Sequence, residues 1–239
     1  MCYNMHTMGK RVSRSLLDPY ILPLVPGLYR LLRIPRKFPP EGIILFGHIG
    51  AIAGAFGFAS ALEVWWAGLI AAGGVLLNHV ADMVDGTHAR ATGQCRNGGE
   101  LLDHFTDPLS FSYWMIGIAV SIMRLDLALA CVIAIYATAV LTNIRAKIIG
   151  EFGLAAFGPT EFKGLLIVQG LVTAGANWWM RDDVLGYERV VRGLTWWLTA
   201  LTAIGTAQLL WNLIRAVKEV NASGRTADTT AWETRSGGK

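Results

Sequence analysis

The sequence predicts an all-α integral membrane protein, and three observations carry that reading. Of 239 residues, 53% are hydrophobic and only 16% are charged, whereas soluble domains carry about 25% charged residues. The mean hydropathy is +0.43. Six stretches stay apolar for the roughly 20 residues that a helix needs to cross about 30 Å of hydrocarbon. The expected architecture is a six-transmembrane-helix bundle preceded by a short N-terminal interfacial helix.

The order of elements follows from the punctuation of the chain. Residues 1–40 form an N-terminal cytoplasmic and interfacial segment, 41–217 the membrane domain, and 218–239 a tail. The N-terminus, MCYNMHTMGKRVSR, lacks the apolar core of a signal peptide, so insertion rests on the first transmembrane helix. Prolines at 19, 23 and 26 prevent one long helix there. Residues 27–34 then place Leu28, Leu31 and Leu32 opposite Arg30 and Arg33, the pattern of a helix lying on lipid headgroups; a plain basic linker is the alternative. The spans are expected at 42–60, 61–84, 99–123, 125–149, 161–180 and 191–217, the third and fifth polar only at their entry ends. No internal repeat is visible. The tail is polar and rich in Gly, Ser and Thr, the composition of a disordered segment.

Charge placement orients the bundle. With the N-terminus inside, 17 of the 21 Lys and Arg residues fall on the inner side, and only Arg124, Arg181, Arg189 and Arg192 fall outside. That asymmetry puts both termini in the cytoplasm. The net charge of +4 then reflects topology and anionic lipid, with no nucleic-acid partner implied. Tryptophan pairs at 65–66, 178–179 and 196–197 lie near the outer ends and form an aromatic belt. Cys2, Cys95 and Cys131 are scattered and odd in number, which implies no disulfide framework.

The segment between the second and third spans, DMVDGTHARATGQCRNGGELLDHFTD, carries the chemistry. Asp82 and Asp85 are spaced i, i+3, and Asp103 and Asp107 i, i+4, so each pair shares one helical face. If the two helices are antiparallel neighbours, the four carboxylates form a cup. Ionisable groups beside hydrocarbon are costly and mark function. Converging acidic oxygens need a cation, and hard oxygen ligands select magnesium, calcium or manganese. Two such ions about 3.5–4 Å apart can clamp both sides of a phosphoryl displacement. Gly86 and Gly99 remove side chains at the rim, so backbone can approach a diphosphate. Arg90 is a fixed cation able to fork onto phosphate oxygens. A structural carboxylate cluster, or a cation site without catalysis, is the bland alternative. An EF-hand is excluded, because its alternating ligands and terminal glutamate are missing.

The run Asp82-x2-Asp85-Gly86-x2-Ala89-Arg90-x8-Gly99-x3-Asp103-x3-Asp107 resembles the signature of the CDP-alcohol phosphotransferase family (CDP-alcohol phosphatidyltransferases). All eight positions and every gap agree. At roughly one in twenty per position, coincidence is about one in 10^10 per starting point. The resemblance implies an integral membrane enzyme of phospholipid biosynthesis that cleaves a CDP-linked donor at its diphosphate. CMP leaves, and the substituted phosphate moves to an acceptor hydroxyl. It further implies that Asp82, Asp85, Asp103 and Asp107 hold two Mg2+ or Mn2+ ions, that Gly86, Ala89, Arg90 and Gly99 line the CDP site, and that Asp107 takes the acceptor proton. Family members commonly dimerise, so a homodimer is implied as well. The site would face the cytoplasm of a multi-pass membrane protein, in the cytoplasmic membrane if the chain is bacterial.

The run Gly-Glu-x-x-Asp-His at 99–104 is similar to the aminoalcohol branch of that family. There the histidine is proposed as general base with support from a later glutamate. The matching residues are His104 and Glu161. A histidine suits that role, its ordinary pKa lying near working pH. His104 as a plain packing residue, and Glu161 as a plain helix cap after a turn at 158–160 with Thr160 as N-cap, are the alternatives. The resemblance thus leans toward a CDP-aminoalcohol donor and a lipid hydroxyl acceptor. The alternative is CDP-diacylglycerol donating a phosphatidyl group to a soluble alcohol such as glycerol phosphate, inositol or serine. The chain departs from the family at PPEGIILFGHIG, where many members carry Asn-x-x-Thr, and at Arg96, where many carry a hydroxyl residue. Arg145, Lys147 and Lys163 are read either as positive-inside residues or as contacts to an anionic donor or acceptor. A divalent-cation channel or carrier is a remote alternative, since spans one, four and six offer almost no polar path.

Overall fold

The computed structural model describes residues 11–12, 15–153, 157–180 and 183–224. The prolines act as expected. The approach to the bundle is broken into α1 (Asp18–Ile21), a single 3-10 turn (Leu22–Leu24) and α2 (Val25–Leu32), and α2 stops where Arg33 turns left-handed at φ 48°. Six long helices follow: α3 (Pro40–Ala59), α4 (Trp65–Thr92), α5 (Asn97–Ser121), α6 (Leu125–Ile149), α7 (Pro159–Met180) and α8 (Val184–Ala222). The only pairing of extended backbone among the described residues is a two-residue parallel contact between β1 (Arg11–Val12) and β2 (Phe152–Gly153).

Two boundaries move in ways that matter. The second helix does not end at 84. It runs on to Thr92 and is closed by Gly93 at φ 76°, a left-handed cap that glycine adopts at no cost. Asp82, Asp85, Gly86, Ala89 and Arg90 therefore sit on one rigid helix. The last helix spans 39 residues, about 58 Å at 1.5 Å per residue, so it overshoots a bilayer. It also carries helical order past the expected start of the tail, and residues 225–239 lie outside the described residues.

Four of the long helices, α3, α4, α6 and α8, are long and apolar enough to cross a membrane. The other two, α5 and α7, are polar further along than expected: Ser110, Ser112, Gln169 and Thr173 are all buried. They face into the bundle, where the Ser110 and Ser112 hydroxyls and the Gln169 amide N–H find acceptors. Ser110 and Ser112 donate to the carbonyls of Thr106 and Pro108, and Gln169 donates to Thr173.

Helix α4 is the centre of the bundle, with α3 and α7 packed flush against it. A Cβ on Gly74 would lie 2.5 Å from the Gly50 carbonyl oxygen and the Gly54 nitrogen, and one on Gly170 would lie 2.9 Å from the Gly68 oxygen. Only hydrogen fits between backbones that close. Behind them, Phe58, Ala71, Val75, Trp114, Met115, Ile118, Leu166 and Leu198 form the core. The Trp114 indole is fully buried and donates to the Ala51 carbonyl at 3.0 Å; truncating such a ring to alanine costs about 3–5 kcal/mol. The helix α2 is pinned to α4. Leu28 packs beside Ile43, Ala81 and Val84, and the Tyr29 hydroxyl meets Nδ1 of the fully buried His88 at 2.9 Å. Leu31 and Arg30 remain exposed. At the opposite end of the bundle, Trp65 and Trp178 meet edge to face at 4.9 Å. Cys131 is a buried free thiol.

Candidate active site

The rigid helix α4 presents Asp82 and Asp85, and α5 presents Asp103 and Asp107. All four carboxylates line one cleft, together with Ile44, Gly47, Asn78, Ala81 and Thr106, with about 220 Å³ of open space including its mouth. One oxygen from each of Asp82, Asp103 and Asp107 lies within 4.8 Å of the other two. Opposed ligands of one ion are about 4.2 Å apart around magnesium and nearer 5 Å around calcium, so the three oxygens suit a single shared cation. Asp85 stands beside this trio. It is 6% exposed, and its Oδ1 accepts the backbone N–H of Gly86.

The donor set fits a hard divalent cation. Besides the carboxylates, the Asn78 amide lies on the cleft wall, one turn before Asp82. Its Oδ1 is buried with no hydrogen-bond partner, while its Nδ2 donates to the Gly47 carbonyl at 3.3 Å. A buried carbonyl oxygen left without a donor costs about 1–3 kcal/mol. A cation or its hydration shell would satisfy it, and oxygen-only donors of this kind are the ligands of magnesium, calcium and manganese.

A fifth charge enters the cup, from a lysine whose sequence context is equally that of a positive-inside residue or a contact to an anionic donor or acceptor. Lys163, from α7, is completely buried, and its Nζ lies 2.8 Å from Asp82 Oδ2 and 3.5 Å from Asp107 Oδ1. The ring of Phe111 closes over it, with its centroid 5.6 Å from Nζ. Sequence signal for this was thin. A lysine two residues into an amphiphilic helix start reads as a headgroup anchor, and only the α4–α7 contact turns it inward.

The rim residues fall as follows. Arg90 is exposed and lies over Gly86, whose Cβ would come within 3.2 Å of its Nη1; its Nη2 is 3.4 Å from Thr87 Oγ1. Ala89 is half-buried on the same helix. Gly99 faces Glu41, whose Oε1 would be 3.8 Å from a Cβ there. Glu41 in turn pairs with Arg96 at 3.5 Å, so the two departures from the family pattern meet each other beside Gly99. His104 does not line the cleft. It is half-buried one turn from Glu100, with Nε2 3.8 Å from that carboxylate. Glu161 is buried away from the cup. Its carboxylate accepts from Ser15 Oγ at 2.5 Å, Leu17 N–H at 2.9 Å and Gly158 N–H at 2.8 Å. Helix α7 starts at Pro159, so Gly158 and not Thr160 holds the N-cap position, and Glu161 closes the reciprocal half of a capping box. Thr160 instead donates to Asp18 at 2.8 Å. Arg145 forks onto Glu219 of α8 at 2.7 and 2.9 Å, and Lys147 is exposed.

Known proteins resemble this chain in sequence. The family model described as CDP-alcohol phosphatidyltransferase matches residues 45–208, which takes in α4, α5 and the whole acidic motif. A phosphatidylinositol phosphate synthase of Streptomyces avermitilis is similar: 27% identity over 249 aligned positions, covering 97% of this chain and 92% of the relative. The matched stretch spans most of the helical bundle and the cup within it, and the chain belongs to the CDP-alcohol phosphatidyltransferase family, membrane-bound transferases of phospholipid biosynthesis.

Proposed function

We propose that this enzyme moves a phosphatidyl group from a CDP-linked lipid to the hydroxyl of a soluble alcohol, releasing CMP. The observation that carries the reading is the convergence of Asp82, Asp85, Asp103 and Asp107 on one cleft between α4 and α5. The family description and the name of the Streptomyces relative favour a phosphatidyl donor over the CDP-aminoalcohol donor that the run at 99–104 suggests. An inositol phosphate stands first among the acceptors, with inositol, glycerol phosphate and serine behind it.

In this reading Asp82, Asp103 and Asp107 hold Mg2+ or Mn2+, with Asp85 and the Asn78 carbonyl at the wall. Divalent cations there neutralise the diphosphate and make CMP a better leaving group. The protein supplies the rest. Arg90, exposed and held by a 3.4 Å contact to Thr87, forks onto diphosphate oxygens, and bare Gly86 beneath it leaves room for them. The acceptor oxygen bonds to the lipid-bearing phosphorus, the P–O bond to CMP breaks, and CMP departs with that electron pair. The hydroxyl proton passes to a carboxylate on the wall. In this reading Asp107 takes that proton, supported by its position on the cleft wall, whereas His104 is not among the residues lining the cleft. The positive-inside bias turns the cup toward the cytoplasm. All six long helices cross the bilayer, the inward polar faces of α5 and α7 being shielded by α3, α4, α6 and α8, and α2 rests on the headgroups.

The test is CMP release by the purified protein with a panel of donors and acceptors, in Mg2+ and in Mn2+. CDP-diacylglycerol with a soluble polyol or its phosphate should yield CMP and a new phospholipid. CMP from CDP-choline or CDP-ethanolamine with diacylglycerol alone would assign the chain to the aminoalcohol branch instead.

A further inference from the structure

We propose that Lys163 is a tethered counter-ion of the acidic cup. It gathers the Asp82 and Asp107 carboxylates before a divalent cation arrives, and it competes with that cation for them. The inference rests on the cup being a metal centre, as set out above.

Three observations support it. The lysine comes from a third helix, so its contacts tie α7 to both aspartate-bearing helices. Its side chain is fully buried, and Nζ sits 2.8 Å from Asp82 and 3.5 Å from Asp107. A lysine kept for topology would extend its ammonium to water; this one is turned inward under the Phe111 ring. Finally, Asp82 and Asp107 are two of the three residues whose oxygens converge within 4.8 Å. Without a cation, carboxylates this close repel one another. One ammonium lowers that repulsion without filling the site. A divalent ion must then displace a positive charge already present, which weakens its binding but leaves the ligands in place for it.

The sign of the effect separates this role from simple structural support. Removing a merely structural ion pair distorts the ligands and weakens metal binding. Removing a competing counter-ion strengthens it. The experiment uses the full chain in detergent, purified in Mn2+ and then stripped with EDTA. Mn2+ affinity is read by calorimetry or electron paramagnetic resonance, and melting temperature is measured with and without the ion. Lys163→Met should bind Mn2+ about tenfold more tightly or better, melt lower than wild type in EDTA, and gain more from Mn2+. Lys163→Arg, which keeps the charge, should stay within about threefold of wild type. In the charge-compensated pair Lys163→Met with Asp107→Asn, the EDTA melting temperature should recover relative to Lys163→Met. That recovery can be scored even if the single variant fails to fold. Unchanged or weaker Mn2+ binding in Lys163→Met, or no recovery in the pair, overturns the proposal. Wild-type protein that binds no Mn2+ at all would instead overturn the metal-centre reading itself.

Discussion

Glu161 offers a sharp test, because the structure places its carboxylate where it holds the chain together. It is 6% exposed and accepts from Ser15, Leu17 and Gly158. Ser15 is itself buried and caps the start of α1 through the Asp18 N–H. In Glu161→Ala the Leu17 N–H keeps a second acceptor, Ser15 Oγ at 3.2 Å, but the buried Gly158 N–H loses the carboxylate that accepts it. A buried donor left unsatisfied costs about 1–3 kcal/mol. For a chain this size each kcal/mol is worth about 2–4 °C, so the melting temperature should fall by about 2–12 °C. Glu161→Gln retains one accepting oxygen but aims an N–H at another donor, and it should fall by about half as much. The assay is tryptophan-fluorescence melting of detergent-solubilised protein, run beside CMP release normalised to folded protein well below the transition. The rate per folded molecule in Glu161→Gln should stay within about tenfold of wild type. A glutamine variant that melts like wild type and yet loses a hundredfold in rate would refute this reasoning and make Glu161 a partner of the catalytic base.

Asp85→Asn removes charge from the cleft while keeping volume. It should leave the melting temperature within a few degrees and cut CMP release by about a hundredfold or more. His104→Ala should cost less than about tenfold, since the ring is off the cleft; a loss of roughly 10^2–10^4 would make His104 the general base. Gly74→Val forces side-chain atoms into backbone 2.5 Å away and should cost more than about 3 kcal/mol by parting α3 from α4, seen as loss of the monodisperse peak in size-exclusion chromatography.

Much of the bundle was legible because bilayer-length apolar runs leave little freedom. The fourth helix lies at 125–149 as read, and the prolines at 19, 23 and 26 break the N-terminal approach where expected. The end of α4 is hard to read from sequence because polarity alone does not end a helix. The motif turns polar after Val84, but nothing breaks the helix until Gly93, and Gly86 tolerates helical backbone at modest cost. The aspartates were legible as two one-faced pairs, because i, i+3 and i, i+4 spacing fixes which side chains share a face. Their unequal standing, three close together and Asp85 to one side, depends on how α4 and α5 pack, which spacing does not encode. Asn78 carried no site signal for the same reason, and Lys163 was legible only as a positive-inside residue or a contact to an anionic donor or acceptor. Each looks ordinary along its own helix, and only the contacts of α4 with α3, α5 and α7 bring both to the cup.

The most direct test of the account is diffraction from crystals grown with Mn2+ and CDP, with data collected at the manganese edge. The account predicts anomalous density between the carboxylates of Asp82, Asp103 and Asp107, with the diphosphate beside it under Arg90. Manganese bound elsewhere, or those three carboxylates turned apart with no ion shared among them, would contradict it.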